Sequence, residues 1–189
     1  MAERVFGKGL LVIPLLLCVF GSSVYSQSSA KQAPTSKAGA APLEKALEMN
    51  VAEVEVGKLA QTKAENPKVK DFADMMVKDH TAAIDKLRTV PGAPSAAKPN
   101  AKQQQTADRL SKLSGPEFDR EYMKAMVTDH QEAVKFFEQL SKNTSATTGG
   151  SQQLAMVAQE LLPTIKKHLQ MAQEIQKELQ SGPPKTTRK

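Results

Sequence analysis

From Val69 to Leu87 the apolar residues fall three or four positions apart: Val69, Phe72, Ala73, Met76, Ala83, Ile84 and Leu87. At about 100° per residue they share one face of an α-helix, whereas a strand, whose side chains alternate, would scatter them over two faces. The same spacing returns at Tyr122, Met123, Met126, Ala133, Val134 and Phe137, and again at Leu154, Ala158, Leu161, Ile165, Ala172 and Ile175. A fourth stripe, Leu43, Leu47, Val51 and Val54, precedes them. Four such faces can leave water only by packing on one another. Composition agrees, since 4% aromatic residues and no Trp are too few for the strands of a sandwich or barrel. The fold class is therefore all-α, with 189 residues sufficing for one domain.

Local signals place the helices. The first is expected over about 43–63. Asn66-Pro67, a cap residue and a proline suited to the first helical position, opens a second that ends near Arg88. Ser114-Gly115-Pro116-Glu117 has capping-box spacing and opens a third, ending near Leu140. The fourth spans about 152–179, with Pro163 expected to kink it or to mark its true start. Between the second and third lie about 25 residues, 89–113, with Pro91, Pro94 and Pro99 followed by a short helix ending near Leu113. A connection of that length can run the whole length of a bundle, as in ferritin-like folds, and favours an up-down-down-up order. Asn143 to Ser151 is a turn rich in Asn, Thr, Ser and Gly, and its Asn143-Thr144-Ser145 sequon reads as part of that turn.

The chain ends differ in character from this core. Arg4 and Lys8 followed by the apolar stretch Gly9 to Phe20 and by Val24-Tyr25-Ser26 read as a secretory signal over residues 1–26, cleaved before Gln27. The stretch is too short for a bilayer, which needs roughly 20 apolar residues. Anchoring as a lipoprotein at Cys18 would call for a small residue directly before it, where Leu17 stands. Residues 27–42 are small, polar and Pro-containing, as in a flexible tether, and 181–189 form a basic disordered tail with Lys185, Arg188 and Lys189. The bundle domain is accordingly placed at 43–180, in an exported, periplasmic protein.

Cleavage removes Arg4 and Lys8 against Glu3, which lowers the formal charge from +6 to +5 and discards Cys18, the single cysteine. Disulfide scaffolds, thiolate zinc sites and cysteine catalysis drop out. The helices mix both charge signs and no basic patch carries interleaved aromatics, so nucleic acid is not expected as a partner; weak attraction to anionic envelope surfaces is all the charge supports. There is no Gly-x-Ser-x-Gly elbow and no Gly-rich phosphate loop.

The chemistry resides in three histidines. Met76-Val77-Lys78-Asp79-His80 recurs fifty positions later as Met126-Val127-Thr128-Asp129-His130. His80 and His130 fall near the centres of their apolar stripes, and His168 sits on the stripe of the last helix. At about 1.5 Å per residue His80 and His130 lie roughly 20 Å below the top of an up-down-down-up bundle, and Glu53 and His168 roughly 15 Å. One layer can hold all four. Neutral imidazoles converging in an apolar interior call for hydrogen-bond partners or a divalent transition metal such as zinc, copper, iron or nickel. Glu53 stands about 80° from the centre of the first stripe, which takes in Ala46, Asn50 and Gly57, and Glu55 about 120° away on the other side; Glu53 is the better placed carboxylate. The di-iron pattern wants Glu three residues before His, and Val77, Val127 and Ile165 occupy those positions, against ferroxidase or oxygenase chemistry. Met76, Met126 and Met171 near the histidines raise thioether ligation of Cu(I), although Met at helical spacing also serves to fill cores.

Asn50 through Ala60, Phe72 through His80, Phe118 through Met123 with Asp129-His130, and Leu162-Pro163 with His168-Leu169 together resemble a bacterial exported family catalogued as domain of unknown function 4142. The resemblance covers about residues 43–179 and implies a ferritin-like four-helix bundle outside the cytoplasm. Family members are often labelled outer-membrane proteins, which suggests association with that membrane, though these residues show neither barrel strands nor a second apolar span. The family brings no established activity. Two readings follow. In the first, the interior binds a metal ion or small ligand through His80, His130, His168 and Glu53. In the second, the chain is a non-catalytic structural or interaction protein of the envelope, whose histidines complete the core while Asp79 and Asp129 meet basic partners on a neighbouring helix.

Overall fold

Every helical stripe read from the sequence forms a helix in the computed structural model, which describes residues 37–143 and 149–181. The helices are α1 (Lys37–Lys63), α2 (Pro67–Arg88), α3 (Ala101–Ser111), α4 (Gly115–Lys142) and α5 (Gly149–Ser181). The described residues contain no strand, and none of their helices is long and apolar enough to cross a membrane. The expected signal segment, most of the sequon and all but the first residue of the expected tail lie outside them. So do residues 27–36 of the expected tether, whereas Lys37 to Pro42 are the opening of α1. Three alanines in that stretch favour helix, and a proline so near the start forfeits little hydrogen bonding.

Caps account for several boundaries. Asn66 accepts from the Lys68 amide at 2.9 Å and starts α2 as expected. The capping box expected at Ser114 does not form: its side chain makes no cap bond, and Gly115 takes φ +57° directly after it. The box is found instead on α3, where Asn100 and Gln103 cap each other's backbone amides. Pro163 lies inside α5, which begins at Gly149, so it does not mark the helix start.

Which ends of the helices meet is shown by two groups of core residues. One joins Val56, Ala60 and Ala64 late in α1 and just beyond it, Phe72 and Met76 early in α2, Phe118 to Met126 early in α4, and Ala172 and Ile175 late in α5. The other joins Leu43 and Leu47 early in α1, Ile84 and Leu87 late in α2, Phe137 late in α4, and Leu154 to Ile165 in the first half of α5. Helices α2 and α4 therefore run one way and α1 and α5 the other. The segment between α2 and α4 returns the chain to the end from which α2 started. Around the interior, α1 packs on α2, α2 on α5, α5 on α4 and α4 on α1, while α3 rests on α1 and α4.

Two details fix the register. At the α1–α2 contact a Cβ on Gly57 would stand 2.9 Å from Val77 Cγ2, so glycine lets the helices approach there. Asp119, 2% exposed in the first turns of α4, accepts the Glu65 amide at 3.1 Å and the Asn66 amide at 2.8 Å. A buried carboxylate thus ties the α1–α2 turn to α4 and has both its oxygens partnered.

Candidate metal centre

On α2 the buried residues are the seven apolar members of the stripe and His80. His130 on α4 and His168 on α5 are each 1% exposed, and His80 is 7% exposed. Because α2 and α4 are parallel and α5 opposes them, the three residues arrive at one level. Their ring centroids form a near-equilateral triangle with sides of 5.6 Å (His80–His130), 5.3 Å (His80–His168) and 5.6 Å (His130–His168).

Each ring has one nitrogen occupied and the other free. Asn50 donates its amide to the Ala46 carbonyl at 2.7 Å, which turns its Oδ1 toward His80 Nδ1 at 2.8 Å. His80 Nδ1 must therefore be the donor. The Met126 carbonyl can only accept, so His130 Nδ1 donates to it at 2.9 Å. Likewise His168 Nε2 donates to the Asp79 carboxylate at 3.0 Å. These contacts leave His80 Nε2, His130 Nε2 and His168 Nδ1 buried with no hydrogen-bond partner. One nitrogen from each of the three rings falls in a single group with no separation above 4.8 Å. An imidazole that gives one N–H to a carbonyl or carboxylate presents its other nitrogen as a lone pair, the arrangement in which histidine ligates metals.

Electrostatics keep those lone pairs bare. Burial, then the neighbouring His130 and His168, hold His80 well below the usual imidazole range. Burial and His168 push His130 down to about 3 against the opposing pull of the Met126 carbonyl. His168 is lowered by burial, with Asp79 opposing. All three are neutral at physiological pH, and neutral imidazole is the ligating form.

Glu53 is buried, contrary to its place at the edge of the first stripe, because α3 covers the flank of α1 that carries it. It does not join the three histidines: its Oε1 lies 3.9 Å from His130 Nδ1, the nitrogen already committed to Met126. Its Oε2 is buried and unpartnered, and its carboxyl is raised well above the usual range, first by burial and then by Asp129. Small cavities adjoin the site on two sides. One, of about 10 Å³, is lined in part by Glu53, His80 and His130; another, of about 20 Å³, by Asp79, Thr164 and His168. Met76 and Met126 belong to the core, and Met126 serves His130 through its carbonyl oxygen.

Asp79 meets His168, where a basic partner was expected for it. Asn50 and Asp79 are the two residues whose roles the helical stripes did not reveal. Asn50 gave a usable sign, since an amide on an inward face needs a partner within the core. For Asp79 nothing but its place beside a histidine pointed that way, because the partner stands on another helix.

Parallel and antiparallel helices carrying three inward imidazoles define an all-helical protein with a histidine-lined interior. The chain belongs to the family of domain of unknown function DUF4142, whose profile matches residues 24–175. No curated protein and no solved structure matches it.

Proposed function

We propose that this is an exported, periplasmic, ferritin-like four-helix bundle that binds one divalent transition-metal ion through His80 Nε2, His130 Nε2 and His168 Nδ1. The observation carrying this reading is the convergence of three buried, neutral, unpartnered nitrogens within 4.8 Å. Leaving a buried acceptor unpaired costs about 1–3 kcal/mol each. A purely structural role accounts for the three occupied nitrogens but not for the three that face one another. Around zinc at about 2.0–2.1 Å, tetrahedral geometry would bring the nitrogens to about 3.4 Å apart, a contraction that side-chain rotation can supply. Three imidazoles leave a position open for a fourth ligand, as in His₃ sites, and suit zinc, copper, iron or nickel. The +5 charge expected after signal removal and the reading of residues 1–26 support a place in the envelope, with weak attraction to its anionic surfaces.

The test is metal analysis of protein purified without chelator, followed by calorimetric titration with zinc, copper and ferrous iron. One equivalent is expected for the wild type, with affinity lost in the His80→Ala and His130→Ala variants. Absence of metal, with thermal stability unchanged on titration, would refute the proposal.

A further inference from the structure

Besides the small internal cavities, the helices leave an open cleft of about 90 Å³ between α1, α3 and α4. Glu53, Asp129 and Glu132 line it together with Lys45 and Lys102. Glu53 is the one ionisable residue that borders both this cleft and the inner cavity against His80 and His130. It is 8% exposed, and its Oε2 has no hydrogen-bond partner. The cleft's cations are engaged at its rim: Lys102 binds Glu132 at 2.7 Å, and Lys45 lies over the Phe136 ring at 4.6 Å. Helix α3, which forms one wall, buries only Leu110, so that wall is held more lightly than the others.

Resting on the metal-binding reading above, we infer that the cleft beneath α3 is the route by which a divalent cation reaches the histidines, with Glu53 as the relay carboxylate between cleft and cavity. A hydrated cation must exchange waters for protein ligands before it enters an apolar interior, and a carboxylate at the boundary offers a replacement oxygen. Glu53 suits a relay better than a resident ligand, because its nearer oxygen approaches the committed nitrogen of His130 and it stands outside the group of free nitrogens. Lys102, 64% exposed in its side chain and paired across the cleft mouth, repels an incoming cation and acts as the outer latch. The opposite cavity by Asp79 and Thr164 is the competing route.

The experiment is stopped-flow loading of the full-length protein, as purified after export, with Co²⁺, followed by release to a chelator and equilibrium titration of the same samples. A relay changes rates without changing the end states. Glu53→Gln should therefore slow loading and release together by about tenfold, the lower end of what local charge contributes to association rates, with Kd nearly unchanged. Lys102→Gln, a surface change that leaves the core intact, should speed loading, and Thr164→Leu, which narrows the opposite cavity, should leave it unaltered. Wild-type loading rates in either Glu53→Gln or Lys102→Gln overturn the route. Faster release alone in Glu53→Gln makes Glu53 a resident ligand and also overturns it, as does slowing by Thr164→Leu. If Glu53→Gln does not fold, Lys102→Gln and Thr164→Leu decide. Failure of the wild type to bind Co²⁺ at all strikes the metal-binding reading itself, whereas binding with unchanged rates strikes only the route.

Discussion

Replacing His130 by Leu should change stability in opposite directions with and without metal. Leucine has nearly the volume of histidine and no polar atoms, so the substitution removes the buried, unpartnered Nε2 and the Nδ1 bond to Met126 and leaves little cavity. Losing an orphaned buried acceptor recovers about 1–3 kcal/mol, and losing the hydrogen bond costs about 0.5–1.5 kcal/mol. Without metal, His130→Leu should thus match the wild type or exceed it by up to about 2 kcal/mol, a few degrees in Tm for a domain of this size. With zinc the order inverts. At one hundred times Kd the wild type gains about 2.7 kcal/mol, and a variant with two imidazoles left, its affinity at least about a hundredfold weaker, gains about 0.4 kcal/mol or less. Thermal unfolding by far-UV circular dichroism, in chelator and in excess zinc, reads both effects. A variant less stable than the wild type by the same margin in both buffers would show that His130 only fills the core.

Three further outcomes follow from the same contacts. Metal-free stability should fall with acid: the unfolded chain takes up a proton on this histidine near pH 6.5 while folded His130 resists to about 3, so the contribution present above pH 6.5 is lost progressively down to about pH 3. Denaturant titrations across that window should show the wild type losing about 1.4 kcal/mol per pH unit more than His130→Leu. Asn50→Ala leaves His80 Nδ1 without its acceptor and should weaken zinc binding about 10- to 100-fold by calorimetry, with stoichiometry unchanged. Asp119→Ala frees the Glu65 and Asn66 amides and should cost about 2–4 kcal/mol in chemical denaturation, yet leave zinc affinity as it was, since Asp119 braces the turn at the far end of the helices from α1's start.

The fold could be read locally to a large degree because helices are local. Asn66-Pro67 and the stripe Val69 to Leu87 contain their own instructions, and α2 begins, ends and buries the residues they specify. Ser114 shows the limit: capping-box spacing is present, but the backbone at Gly115 turns the chain so that the box does not close. Glu53 shows another. Its position on the first stripe was judged against four helices, and α3 adds a fifth surface that buries the flank bearing Ala52, Glu53 and Val56.

The sequence by itself determined that the chain is helical, that three histidines face inward, and that no Glu stands three residues before any of them. Those properties follow from residue identity and a period of 3.6. Only the tertiary structure decided which nitrogen of each ring is free. That choice belongs to acceptors brought from elsewhere, Asn50 from α1 for His80 and Asp79 from α2 for His168, and to the turn of α4 that presents the Met126 carbonyl to His130. A ring's tautomer is set by what its other nitrogen touches, and contacts between helices are fixed only when the helices pack.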